Sequence, residues 1–491
     1  MRHRRAGLLV ECRRARAPIV SLLLAALLAS GCTTYFPVND PISPATIERR
    51  SGYRGSRRWS EERSNEILLI VAFSGGGTRA ASFAYGVLQG LDETRVPIGG
   101  REVSLLDQID HVTGVSGGSF TAAYLGLHGR GIFEDFERRF LRRNVQSALI
   151  GQLLTPWNWV LLASPFFERS DLIARYYDRI LFDDATFDDL AAQNGPLVQI
   201  NATDLATGAP FSFIQDQFDF LCSELGSYPI SRAVAASSAV PGPMSPLTLR
   251  NFAGACDFEA PPWIREALAS PRTFSRAYVN AKNLESYTRS DSRRFIRLID
   301  GGVSDNLGVR GPFESTLLQR APHDARPESL GQLRHMVLIL VNAQTTPEVA
   351  WEAIDRAPAL YDIIDQTTTV QINRYTLETI ELVRSTFESW QEVAAAWPTP
   401  VGFHLVEVDF TKPADPAERK YLNSLPTSFR LSDEAVDRLE RAGRDALLAD
   451  PAFRSLLERL AGEAPGEGAA GVDPTLPPGT AEPHGPERRI P

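Results

Sequence analysis

Ile67-Leu68-Leu69-Ile70-Val71-Ala72-Phe73-Ser74-Gly75-Gly76-Gly77-Thr78-Arg79 is the stretch that decides the fold. An unbroken apolar run of this length suits a strand buried on both faces. Ser74 to Gly77 breaks it, and Thr78 to Leu91, rich in alanine, reads as a helix. The unit recurs downstream. Ile109 to Thr113 is a short strand, Gly114-Val115-Ser116-Gly117-Gly118 a turn, and a small-residue helix continues through Leu127. Further strands are expected at 197–201, 295–299 and 336–342, with a possible edge strand at 403–410 and a helix over 433–460. Strands alternating with helices give an α/β layer fold with a largely parallel central sheet.

The turns carry the chemistry. A serine hydroxyl attacks only if it is presented sharply and loses its proton as it reacts. Gly-x-Ser-x-Gly allows a strained strand-to-helix turn around Ser116, with Gly114 and Gly118 removing Cβ clashes. The glycine triplet Gly75-Gly76-Gly77 can aim several backbone amides at one oxygen, the preorganisation that a tetrahedral oxyanion needs. A phosphate-cradling loop is the rival reading, but there is neither a Gly-Lys-Ser/Thr ending nor a full Gly-x-Gly-x-x-Gly pattern. Asp300-Gly301-Gly302 ends the apolar run from Phe295, where a carboxylate could sit against a serine and take its proton. Alone, Asp-Gly-Gly would be a turn.

In this order, the three elements resemble the patatin-like phospholipase family of lipid acyl hydrolases. The resemblance spans roughly residues 66–308, including Asn201-Ala202-Thr203-Asp204-Leu205 and Ala236-Ser237-Ser238-Ala239-Val240-Pro241. It implies a three-layer α/β/α fold, lipid esters such as phospholipids as substrates, and no metal or other cofactor. Carried over, Ser116 is the nucleophile, Asp300 the base, and Gly75, Gly76, Gly77 and Arg79 form the oxyanion loop. Gly301 and Gly302 complete the base motif. Ala80 stands where the family often has a last loop glycine. A Ser–His–Asp triad is the competing mechanism, with His335 or His404 as its histidine, since His323 falls in a Pro-rich loop. An acyltransferase and a catalytically silent lipid-binding lipoprotein are the competing functions.

Composition is that of an ordinary globular chain, with 43% hydrophobic and 23% charged residues among 491. The net charge of −9 argues against nucleic acid as a partner. Arg2 to Arg16 followed by the apolar Pro18–Ala29 reads as a signal segment over 1–31. Ala29-Ser30-Gly31-Cys32 resembles a bacterial lipobox, so Cys32 is expected to carry lipid and to anchor the protein in the cell envelope. Thr33 after it suits the periplasmic face of an outer membrane. Cys222 and Cys256 are then expected to pair in an oxidising compartment, the alternative being two separate buried thiols. Residues 32–64 read as a tether and N-terminal arm, 65–461 as the acyl hydrolase domain with insertions, and 462–491 as a disordered tail. Oligomeric state and the role of 345–461 stay open. Pro156-Trp157-Asn158-Trp159-Val160-Leu161-Leu162 with Phe166 and Phe167 suits a lipid surface, or equally core packing or a lid. Arg138, Arg139, Arg142 and Arg143 just upstream could favour anionic headgroups or form a solvated helix face.

Overall fold

Two apolar cores on opposite faces of one sheet explain why its strands lack alternation in sequence. Along β1 (Ile67–Phe73), Leu69, Val71 and Phe73 enter one core, while Ile70 and Ala72 face the other. A computed structural model describes residues 39–48, 51–55, 63–98, 100–163, 167–310, 332–345, 355, 357–397 and 400–462. The expected signal segment, Cys32, His323 and residues 463–491 of the expected tail lie outside the described residues.

The remaining strands of the sheet are β2 (Ile109–Val115), β3 (Leu197–Asp204), β4 (Pro210–Ser212), β5 (Leu247–Arg250), β6 (Phe295–Asp300), β7 (His335–Asn342) and β8 (Gly402–Asp409). Their order is β8-β7-β1-β2-β3-β6-β5, with β4 paired to β3 off this path. From β8 to β3 every pairing is parallel. The chain reverses at β6, which runs antiparallel to β3 and to β5, and β4 is likewise antiparallel to β3. The fold is therefore a three-layer α/β/α arrangement on a mostly parallel sheet.

The helices that matter here are α1 (Gly77–Glu93), α2 (Gly117–His128), α3 (Val145–Leu154), α4 (Pro156–Leu162), α5 (Ile230–Ser237), α6 (Leu360–Ala394), α7 (Asp433–Ala449) and α8 (Pro451–Gly462). The first face is covered by α1, α2 and α7 through Phe83, Phe120 and Leu439, among others. The second is covered by α6 through Val383, Phe387 and Trp390. The helix expected over 433–460 is two helices. Asp450 is extended, its carboxylate caps α8, and Pro451 follows. Proline excludes its predecessor from helical geometry and lacks the amide a helix needs.

The described residues after 332 are thus integral to the fold, supplying an edge of the sheet and helices of both outer layers. Part of the stretch expected as a tether is also fixed. Asn39 bonds Ser223 and Arg250, and Arg54 pairs with Asp219 at 2.7 Å. Cys222 and Cys256 form a disulfide with Cα atoms 5.7 Å apart, closing a sequence separation of 34. A link over that span stabilises by about 3–4 kcal/mol on a chain-entropy estimate. Reduction of the purified protein is accordingly expected to lower its thermal midpoint, and Cys222→Ser/Cys256→Ser is expected to make the midpoint insensitive to reductant.

Helices α1 and α7 cross at backbone contact. A Cβ at Gly86 would lie 1.9 Å from the Glu440 carbonyl oxygen, and one at Gly443 would lie 2.3 Å from that of Phe83. Gly86→Ala is expected to cost roughly 1–3 kcal/mol through overpacking, and calorimetry would read it as a midpoint about 1–3 °C lower. Gly151→Ala in α3, where a Cβ meets nothing within 4 Å, is the control expected to leave the midpoint unchanged or raised.

Candidate functional site

Strand β2 ends at Val115, and Ser116 turns the chain into α2 with φ 47° and ψ −118°. That conformation is sparsely populated for a residue with a Cβ and stores about 1–3 kcal/mol of strain. Hydrogen bonds hold it in place. The Ser116 amide donates to Ser237 Oγ at 2.8 Å, and that hydroxyl donates to the Asn201 carbonyl at 2.6 Å. The flanking glycines are needed for close approach. A Cβ at Gly118 would meet the Phe73 carbonyl oxygen at 2.6 Å, and one at Gly114 would meet the Gly118 carbonyl oxygen at 2.8 Å.

Asp300 is the last residue of β6, and the antiparallel course of that strand brings it beside the end of β2 from across β3. Its backbone is clamped by the second of the two stretches flagged in sequence, at 236–241. The Asp300 amide donates to the Ala239 carbonyl and the Gly301 amide to the Ser237 carbonyl. Thr203, from the first, donates its hydroxyl to the Asp300 carbonyl at 2.8 Å. The carboxylate is left with two partners. Ser116 Oγ donates to Oδ2 at 2.8 Å, and the Gly302 amide donates to Oδ1 at 2.8 Å. Burial pushes the Asp300 carboxyl up to about 6, with the Gly302 and Ser116 hydrogen bonds opposing it.

The glycine loop lies against the same turn. A Cβ at Gly75 would stand 3.2 Å from that of Ser116, and one at Gly117 only 2.0 Å from the Gly77 carbonyl oxygen. Its three amides are not equivalent. That of Gly75 donates to the Asn306 carbonyl at 3.0 Å and is occupied. Those of Gly76 and Gly77 have no partner among the described residues. Gly76 has φ 140° and Gly77 φ 60°, both favouring glycine.

Arg79 is buried and serves the loop from behind. Its guanidinium donates to the Ala343 carbonyl at 3.0 Å, the Leu425 carbonyl at 2.6 Å and Thr427 Oγ1 at 3.0 Å. Burial lowers its pKa to about 10, so it stays charged at neutral pH. The Thr78 amide donates to the Ser428 carbonyl at 2.9 Å. Residues 425–428 therefore form a strap across the back of the loop. Sequence reading found no role for the strap or for Asn306. Asn306 lies six residues past Asp300, which is a usable signal; the strap has no local pattern.

Neither candidate histidine reaches the site. His335 and His404 lie 3.2 Å apart at the start of β7 and β8, bonded to each other. Val341, whose carbonyl accepts the Ser74 amide, is six residues further along β7, roughly 20 Å of strand. A cavity of about 390 Å³ among Arg63, Arg95, Arg101 and Arg130 also lies away from Ser116 and includes neither member of the pair. Another, of about 350 Å³, opens beside the strap between Leu425, Pro426, Leu431 and Ala435. No cluster of metal-binding side chains is found among the described residues.

Fold and site define an α/β protein with a serine–carboxylate pair at a strained strand–helix turn. Residues 71–313 match the family model described as Patatin-like phospholipase, and through this region the chain belongs to that family. Human GIVD cytosolic phospholipase A2 is similar in structure at 14% identity and a TM-score of 0.44, covering 81% of this chain and 60% of that one. The same human protein with methyl gamma-linolenyl fluorophosphonate and terbium chloride matches at 12% identity and 0.41, over 85% and 63%. VipD from Legionella pneumophila matches at 12% and 0.30, over 81% and 67%. The chain thus spans less than two thirds of the length of the human structures. No curated protein matches its sequence.

The raised carboxyl has a consequence for stability. Asp300 holds its proton to higher pH in the folded protein than in the unfolded chain, whose ordinary value is 3.8. Its favourable contribution is therefore complete below about 3.8 and is lost as pH rises through about 6. The difference amounts to roughly 3 kcal/mol at most. Asp300→Asn, which never ionises, keeps the Gly302 bond through Oδ1 and can donate from Nδ2 to Ser116 Oγ, is expected to exceed the parent in thermal midpoint by more at pH 8 than at pH 4.5. Midpoints that move in parallel at the two pH values would contradict a buried, ionised Asp300.

Proposed function

We propose that this protein hydrolyses carboxylic esters of membrane lipids through a Ser116–Asp300 dyad and an acyl-enzyme. The observation that carries the reading is the 2.8 Å bond from Ser116 Oγ to Asp300 Oδ2, formed at a turn whose neighbouring Gly76 and Gly77 amides have no partner among the described residues. In this mechanism Asp300 takes the hydroxyl proton as Ser116 Oγ attacks the acyl carbonyl. Gly76 and Gly77 hold the oxyanion. The buried charge of Arg79 adds a favourable field and keeps the loop in place, acting as a positioning residue. The leaving alcohol recovers the proton from Asp300. Water then attacks the acyl-enzyme, with Asp300 again as base, and fatty acid is released. Lipidation at Cys32 and residence in the cell envelope fit a substrate of this kind.

A base with a pKa near 6 must be ionised to act. For a soluble ester, kcat/KM is expected to rise about tenfold per pH unit below 6 and to level off above it. A fluorophosphonate probe tests the nucleophile. Peptide mapping is expected to find the label on Ser116 and none in Ser116→Ala, with Asp300→Ala slowed by a factor of about 10²–10⁴. His404→Ala should label like the parent. Loss of labelling in a folded His404→Ala protein would replace the dyad with a triad.

A further inference from the structure

Residues 144–163 carry no charge and form two helices that start beside the strap of this site. The first helix, α3, is rooted beside the glycine loop. The Gln146 amide donates to the Phe429 carbonyl, and Ser428, whose own carbonyl holds Thr78, donates its hydroxyl to Gln146 Oε1 at 2.9 Å. Val145 and Leu149 are buried and fix the root. Burial then falls away along the helix, which is about 15 Å long. Leu154 is 68% exposed, and in α4 Trp157 is 82% and Trp159 58% exposed. No residue of α4 is buried, although most of its side chains are apolar. Phe167 is buried and belongs to the core, while Phe166 lies outside the described residues.

Three polar side chains of this hairpin are satisfied within it. Thr155 Oγ1 donates to the Gly151 carbonyl at 2.8 Å, Asn158 Nδ2 to the Gln152 carbonyl at 2.7 Å, and Trp159 Nε1 to the Leu153 carbonyl at 2.9 Å. Burial in an apolar medium would therefore strand none of these donors. Charges are confined to the base. Arg143, Arg169 and Arg430 are exposed there, with no carboxylate partner among the described residues. Arg139 and Arg142, by contrast, are engaged with Asp183, Glu137 and Asp437. An apolar tip carrying tryptophan above a ring of unpaired arginines complements a bilayer with anionic headgroups.

We propose that the α3–α4 hairpin inserts into the surface of a lipid bilayer and seats the glycine loop and Ser116 against it. The inference rests on the lipid ester reading above, so its test separates binding from catalysis. The full-length chain would be bound to phosphatidylglycerol-containing vesicles carrying brominated acyl chains, and tryptophan quenching compared with Trp157→Phe/Trp159→Phe. The bromine-quenched component is expected to disappear in the variant, and unchanged quenching would overturn the proposal. This holds even for an inactive protein. In parallel, Trp157→Ala/Trp159→Ala is expected to lower hydrolysis of vesicle lipid about tenfold while leaving a water-soluble short-chain ester within about twofold. Equal loss on both substrates would make the hairpin part of the catalytic fold and overturn docking. Conversion of a parent dimer to monomer by the same substitutions, without bromine quenching in the parent, would assign the surface to a second copy and also overturn it. Arg143→Gln/Arg169→Gln/Arg430→Gln is expected to abolish preference for anionic over phosphatidylcholine vesicles, and an undiminished preference would count against the arginine ring.

Discussion

Backbone passing against backbone is the constraint on which this site depends. Gly77 and Gly117 approach so closely that a methyl group on the second would sit 2.0 Å from the carbonyl oxygen of the first. That contact sets the glycine loop beside the serine turn, where the Gly76 and Gly77 amides have no partner among the described residues. It works only because the strands beneath are parallel and in register, with Phe73 opposite Gly114. Two strand ends at one level deliver two turns to one place. The third component arrives from the opposite direction, since β6 is antiparallel and still ends beside Ala202.

Nearly all of this geometry was legible where it is local. The run from Ile67 to Phe73, the glycine triplet and the Ser116 pentapeptide each declare a strand or a turn within a few residues, because burial and φ are local demands. Asp300 was legible as a strand end, but its direction was not, for antiparallel and parallel edges have the same apolar pattern. Least legible was the strap. Leu425, Thr427 and Ser428 act through backbone oxygens and one hydroxyl, which almost any sequence supplies. Arg79 shows the same limit from the other side. Its proximity to the loop was evident, whereas its three acceptors lie 264 or more residues away. The break before α8 was written in Pro451 itself, against a helical periodicity that continues past it.

Stability and reactivity pull in different directions at this site. A buried carboxylate, a strained serine and a buried guanidinium with no carboxylate beside it among the described residues each disfavour the folded state. The surroundings offset this with hydrogen bonds to backbone, many of them from Ser237, Ala239, Thr203 and the strap. Such a site is rigid because every alternative arrangement leaves one of these groups unsatisfied.

The strap also orders events in time. A growing chain has its serine turn by residue 118 and its carboxylate by 300, yet two of the three acceptors of Arg79, and that of the Thr78 amide, emerge only at 425–428. Until then the glycine loop has Ser116 next to it and only the end of β7 behind it. The site is thus completed only in the last fifth of synthesis, and a fragment ending where the family match ends carries Ser116, Asp300 and the glycine loop without the strap behind them.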